Sequence, residues 1–256
     1  MEARAAAAIL AICGLTAAVS CRPVTTQRQS NLMDYLAAKE EAPPAGPPAQ
    51  IQNPLRVGVV FIPGGSAKST DAQLDREIGR VLLSQEQEAK LTGIIQEHLS
   101  RQPWIADCKV IPSTYLTPGG GFGDLHKTAH MYGLDVMMLV SVNQVQFTDP
   151  KLRSWTYATV VGAYTIKGEK NDTSTFVDGA VFHVPTRTLL LRAGGVNNLK
   201  GNSTIIQRGE QLRQNSIEGL TLAVQDLCAK LDQSALAFQA EVAGGRRKDV
   251  IFAGQP

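Results

Sequence analysis

The sequence carries almost no surplus of charge. Its 25 Lys and Arg stand against 23 Asp and Glu, a net charge of +2, and no basic stripe runs through the body. A nucleic-acid binder needs clustered cations to neutralise phosphates, so that class is excluded. Cysteine is scarce: Cys13, Cys21, Cys108 and Cys228 are the four in 256 residues. Beyond the N-terminus no apolar run is long enough to span a bilayer. Complete catalytic signatures are missing too. There is no G-x-S-x-G elbow to expose a serine nucleophile and no His-Glu-x-x-His pair to hold zinc. What is present, 43% hydrophobic residues, suits a globular domain.

The one apolar run is AAAAILAICGLTAAVS at 5–20. It is uncharged, built of small residues and too short for a comfortable membrane span, which reads as a secretory signal peptide. Cys21 follows Ala18, Val19 and Ser20, the small residues that lipoprotein signal peptidase accepts before a cysteine. The expectation is a mature chain that begins at a lipidated Cys21, with an ordinary signal peptide and a chance cysteine as the alternative. Cys13 fits less well because Ile12 precedes it. Arg22 stands where an aspartate would argue for inner-membrane retention, so the expected location is the outer membrane, with the soluble part in the periplasm. Cleavage leaves Cys108 and Cys228 in a compartment that permits disulfides. They are read as buried free thiols, since cysteine packs as a small hydrophobe; pairing is the alternative.

Residues 1–20 are thus assigned to the signal peptide and 21–54 to a lipidated N-terminus and Pro-rich tether, with prolines at 43, 44, 47, 48 and 54. Such a stretch favours extended conformations. SNLMDYLA at 30–37 interrupts it as a short helical turn able to dock on a neighbour. An α/β domain covers 55–243 and a flexible tail 244–256. Within the domain, LRVGVVFI reads as a buried strand. Ser84 opens a helix with Gln87 in a capping box, and Leu91, Ile94, Ile95 and Leu99 keep helical spacing. IADCKVIP is a strand, PGGGFG (118–123) a turning loop, and Asp124 the N-cap of a short helix stopped by Gly133. DVMMLVSVNQVQF, apolar on both faces at first, reads as a central strand. SWTYATVVGAYTIKG, STFVDGAVFHV and TRTLLLRAGG follow as three strands, the last two joined by a tight VPTRT turn. A long helix runs through about 204–241. The expected fold is a single α/β domain with a mixed β-sheet, β-α-β-α-β then a β-β-β meander, and the long C-terminal helix packed on it.

RVGVVFIPGGSAKST looks at first like a phosphate loop. The pattern needs G-x-x-x-x-G-K-[ST], but Ala67 precedes Lys68, Ile62 occupies the first glycine position, and the convincing helix start is Ser84. No nucleotide is expected there. His126 and His130 lie one helical turn apart and are the metal candidates. Lys127 stands where a zincin carries Glu, and Asp124 is spoken for as the cap, so a solvated helix face is the preferred reading and no metal is assigned. Ser113, Ser141 and His183 are the candidates for nucleophilic chemistry, with no local signal of a triad. Asp178 is expected to form an ion pair with Arg187 or Arg192.

The run YLTPGGGFGDLHKTAHMYGLDVMMLVSVNQVQF, followed by VGAYTIKGEKNDTSTFVDGAVFHVPTRTLLLRAGG, resembles the rhombotarget lipoprotein family of Proteobacteria. The Cys21 lipobox, the SNLMDYL segment and the long final helix also fit. The resemblance implies a cell-envelope lipoprotein of undetermined biochemical role, linked by genome context to rhombosortase. Relatives that end in Gly-Gly, a membrane span and basic residues differ from this chain, where Gly244-Gly245 leads directly to Arg246-Arg247-Lys248 without a span. Gly244-Gly245 then reads as a helix C-cap. At fold level the element order is also similar to curli-secretion-type and peptidoglycan-synthase-activator lipoproteins. Together these readings lead to a non-enzymatic binding or assembly module. It is held to the membrane through Cys21, its partners are envelope proteins, and it uses no cofactor, nucleotide or nucleic acid. The alternatives are a periplasmic metal-dependent or His-using hydrolase working through His126, His130 or His183, and a self-assembling protein using strands near 155–185.

Overall fold

The computed structural model describes residues 25–36, 47–64, 68–69, 83–147, 172–200 and 208–253. Cys21, the strand expected at 154–168 and the helix start expected near 204 fall outside them. Among the described residues no helix is long and apolar enough to cross a membrane.

Three parallel strands form the centre: β3 (Leu55–Phe61), β5 (Ile105–Val110) and β6 (Val136–Phe147), with β3 between the other two. The last two strands of the expected meander follow. β7 (Asp172–His183) pairs antiparallel along β6, and β8 (Thr188–Lys200) along β7. The turn between them has Arg187 at φ 59°. Val136–Val140 of β6 are fully buried on both faces, which is why that stretch is apolar without alternation. Each such side chain contributes about 1.5–3 kcal/mol relative to exposure.

Helix α2 (Gln85–Ser100) links β3 to β5 and α3 (Gly121–Tyr132) links β5 back to β6. The direction of travel across the sheet reverses between these two crossovers, so right-handed connections put the helices on opposite faces. The cores agree. Val57, Val59 and Val136 pack with Leu91 and Ile95 of α2, while Val60, Met137 and Leu139 pack with Leu125 and Ala129 of α3. The capping box at Ser84 and Gln87 is present, and Gly133 closes α3 at φ 66°. The start of α3 differs from expectation. The helix begins at Gly121, and Asp124 is no N-cap. Its carboxylate turns back to accept the backbone N–H and the hydroxyl of Thr117, at 2.9 and 2.5 Å. These bonds hold the Asp124 carboxyl below its ordinary range.

The long helix α4 (Arg208–Ala243) lies over the α2 face of the sheet, burying Leu220, Ala223, Val224, Leu227 and Leu231. Gly195 on β8 allows this. A Cβ there would sit 1.9 Å from the Ala223 carbonyl oxygen of α4.

Two assignments need correction. The stretch 21–54 is not wholly a tether, nor 244–256 wholly a loose tail. β1 (Thr25–Gln29) pairs antiparallel with the far half of β6, Thr25 opposite Phe147 and Gln29 opposite Asn143. α1 (Leu32–Leu36) docks on the α3 face through Tyr35, 3% exposed. β2 (Ala49–Gln52) and β9 (Val250–Ala253) pair in parallel as a separate two-stranded ribbon. Finally, β4 (Lys68–Ser69) pairs with β1. The lysine and serine of the apparent phosphate loop therefore belong to a strand pairing.

Candidate ligand-binding cleft

The second half of α4 does not seal against the sheet as the first half does. Between Leu231–Ala243 of α4, the sheet and the β2/β9 ribbon lies a cleft of about 580 Å³, inside the usual range of small-molecule sites. Its floor is Val57, Val136 and Met138, which water does not reach. Its walls are half-buried apolar side chains, among them Leu55, Trp104, Ile105, Val181, Leu191 and Phe252. Among its lining residues only Asn53, Asp232 and Gln239 are polar, and none is Lys or Arg. The cleft opens at the N-terminal ends of β3, β5 and β6. Open α/β folds hold their nucleotides and phosphates at the other end of such strands.

The ribbon is built to stay in place. Ala49 and Ile51 are 0% and 1% exposed, and Phe252 meets Phe238 of α4 edge to face with centroids 6.2 Å apart. Gly244 and Gly245 end α4 as expected, Gly245 at φ 68°. The chain then turns at Arg247. Its guanidinium donates to the carbonyls of Leu190 (3.0 Å) and Leu189 (2.8 Å), forms a two-point pair with Asp249, and lies over the Phe238 ring at 5.2 Å. The bond to Asp249 raises the already high Arg247 pKa. Arg247 thus ties the C-terminal segment to β8 beside the cleft.

At the rim, Asp232 accepts hydrogen bonds from His98 Nε2 and Gln102 Nε2 at the end of α2, both at 2.9 Å and both on Oδ1. This cluster was invisible in the sequence. His98 and Asp232 lie 134 residues apart, and each interrupts an apolar helix stripe in the way any surface residue does.

The residues singled out from sequence do not converge. His126 and His130 share α3, His126 half-buried and His130 exposed. Among the described residues no cluster of three potential metal ligands forms, and the nearby Asp124 is bound to Thr117. Ser113 donates to Glu88 at 2.6 Å. His183 shares a 2.7 Å hydrogen bond with Thr186 inside the β7–β8 turn, and burial lowers its pKa. Ser141 lies five residues along β6 from Val136, the partner of His183, or about 17 Å. Asp178 is 4% exposed and forms the two-point ion pair with Arg192 at 2.7 and 2.8 Å. Cys108 and Cys228 are buried free thiols. Burial pushes both up to about 11, so neither offers a thiolate at neutral pH.

No protein-family model matches the chain, and no curated protein sequence matches it. Among the solved structures similar to it in outline are the following three. One is protein XCC0632 from Xanthomonas campestris, of the DUF330 family model, at 10% identity over 81% of this chain and 95% of that chain, with a TM-score of 0.37. Another is the PelC dodecamer from Paraburkholderia phytofirmans, at 11% identity over 79% and 97%, with a TM-score of 0.31. The third is lipoprotein GNA1162 from Neisseria meningitidis, at 10% identity over 63% and 96%, with a TM-score of 0.27. Likenesses this loose carry no argument about function.

Proposed function

We propose that this protein is a cell-envelope lipoprotein, anchored to the outer membrane through Cys21 with its domain in the periplasm, and that it binds an apolar ligand without transforming it. The cleft carries this reading. Its walls are apolar, and its one carboxylate is engaged by His98 and Gln102. An apolar-walled recess that keeps half-buried Leu, Ile, Val, Trp and Phe side chains near water gains free energy when a ligand covers them.

Two measurements test it. Radiolabelled palmitate is expected to label the wild-type chain in cells, and Cys21→Ser is expected to abolish the label and move the protein out of the membrane fraction. An apolar naphthylamine dye is expected to brighten on binding the purified protein. Ala235→Trp, which projects an indole into the cleft, is expected to weaken the dye at least tenfold, or about 1.4 kcal/mol. Equal dye binding by wild type and Ala235→Trp would remove the cleft from the reading.

A further inference from the structure

Resting on the cleft as a ligand site, we infer that its ligand is a single-chain amphiphile whose head donates hydrogen bonds and carries no negative charge: a monoacyl ester of a polyol or a long-chain amine rather than a fatty-acid anion.

Size is the first argument. At about 580 Å³ the cleft is of the size that takes drug-sized ligands, which suits one acyl chain with a small head. The walls are the second. The apolar floor and sides give a methylene chain nothing but van der Waals partners, while the polar side chains Asn53, Asp232 and Gln239 are few. The charge of the rim decides the head. The lining offers one charged side chain, Asp232, and no Lys or Arg. An anionic head would meet a carboxylate with no Lys or Arg among the lining residues to offset it, a like-charge contact that is repulsive even where partly exposed. Both of the hydrogen bonds that Asp232 accepts from α2 fall on Oδ1, and Asp232 lines the cleft with 43% of its side chain exposed, which leaves its carboxylate able to accept from a ligand. A hydroxyl or ammonium satisfies it; a carboxylate cannot. His98 and Gln102 hold the carboxylate in that orientation, and they act as positioning residues.

The chain's own lipid is a poor fit for the same place. β1 enters the sheet beside Phe147, nine residues along β6 from Met138 at the cleft floor, or about 30 Å. Thr25, the described residue nearest Cys21 in sequence, and the cleft are at opposite ends of that strand.

The test displaces the bound dye with three probes that share one chain: monopalmitoylglycerol, hexadecylamine and palmitate. On the wild-type protein the first two are expected to displace at least about tenfold better than palmitate, the penalty of an exposed like-charge contact. In Asp232→Asn the palmitate deficit is expected to shrink to within about threefold, with monopalmitoylglycerol little changed. Gln102→Ala is expected to give an intermediate order. Palmitate equal to or better than the others on wild type would overturn the proposal. So would an order that Asp232→Asn leaves unaltered, or a cleft that accepts probes only after Cys21→Ser frees it of the chain's own acyl group. Leu191→Asn, on the half-buried wall, is expected to weaken all three probes alike, which separates the wall from the head. If the dye itself fails to bind, the cleft reading falls with this one. If the dye binds and only the head-group order fails, the cleft reading stands and the ligand class is wrong.

Discussion

The two halves of α4 meet the sheet in different ways. From Ser216 to Leu227 the helix is pressed onto β7 and β8. Gly195 has no room for a Cβ, which would also lie 2.6 Å from the Leu227 backbone nitrogen, and at Gly179 a Cβ would come within 3.2 Å of the Leu227 side chain. A buried polar clasp adds to this. Gln144 of β6 donates to Thr175 and to the Ser216 carbonyl, and accepts the Ser216 hydroxyl, at 2.8, 3.0 and 2.5 Å. From Leu231 onward the glycines give way to Leu190, Leu191 and Val181 on the strands, and a separate ribbon fills in beside the helix. The same helix is therefore a packed core element at one end and the roof of a cleft at the other. The difference is set by which strand residues lack side chains, and it divides stability from the proposed binding along one element.

That division is open to experiment. The largest effect is expected at Gly195→Val, which drives a side chain into the α4 backbone. Overpacking of this kind costs about 3 kcal/mol, a fall of roughly 6–12 °C in Tm for a domain of this size, read by thermal denaturation. Dye affinity of the protein that remains folded should hold within a factor of two or so of wild type. Gln144→Ala comes next. It removes the three hydrogen bonds that Gln144 makes to Thr175 and Ser216 and should cost about 2 kcal/mol in chemical denaturation, again without a change in affinity. Arg247→Ala attacks the other end. It removes the bonds to Leu189 and Leu190 and should cost about 1.5 kcal/mol, with hydrogen exchange rising first in 250–253 and dye binding weakened along with it. A loss of dye binding in Gly195→Val as deep as in Arg247→Ala would break the division.

The smallest effect concerns acid. Burial lowers the His183 pKa, so the unfolded chain binds the extra proton first. Stability should therefore be flat above about pH 6.5, the ordinary histidine value, and decline as the pH falls below it. His183→Asn should flatten that limb in a pH series of urea midpoints.

Local pattern was legible in the sequence. The buried run at 55–62, the capping box at Ser84, the αL glycine at 133, the hairpin at Val184–Arg187 and the apolar stripe of α4 all sit within a few residues of their own cause. What escaped is what distant segments decide together. TTQRQ and AQIQ carry too few apolar residues to announce strands. They become strands because β6 offers an unpaired edge beyond β3, and because β9 returns about 200 residues later. A proline-rich neighbourhood made both look like tether. The cleft was unreadable for the same reason: it needs β2, β9, α4 and the sheet at once, and His98 meets Asp232 only in the fold. The start of α3 misled in a different way. Asp124 has the chemistry of a cap, but Thr117 reaches it first.

The pairing of β1 changes the mechanics of the anchor proposed at Cys21. Were 22–54 a free tether of 33 residues, the domain would roam about 30 Å from its lipid. With Thr25 fixed beside Phe147, a lipid on Cys21 is only four residues away, at most about 14 Å of chain. On the proposed lipidation of Cys21, the domain would be a lever rather than a float, its cleft at the far end of β6 standing about 30 Å from the anchored edge.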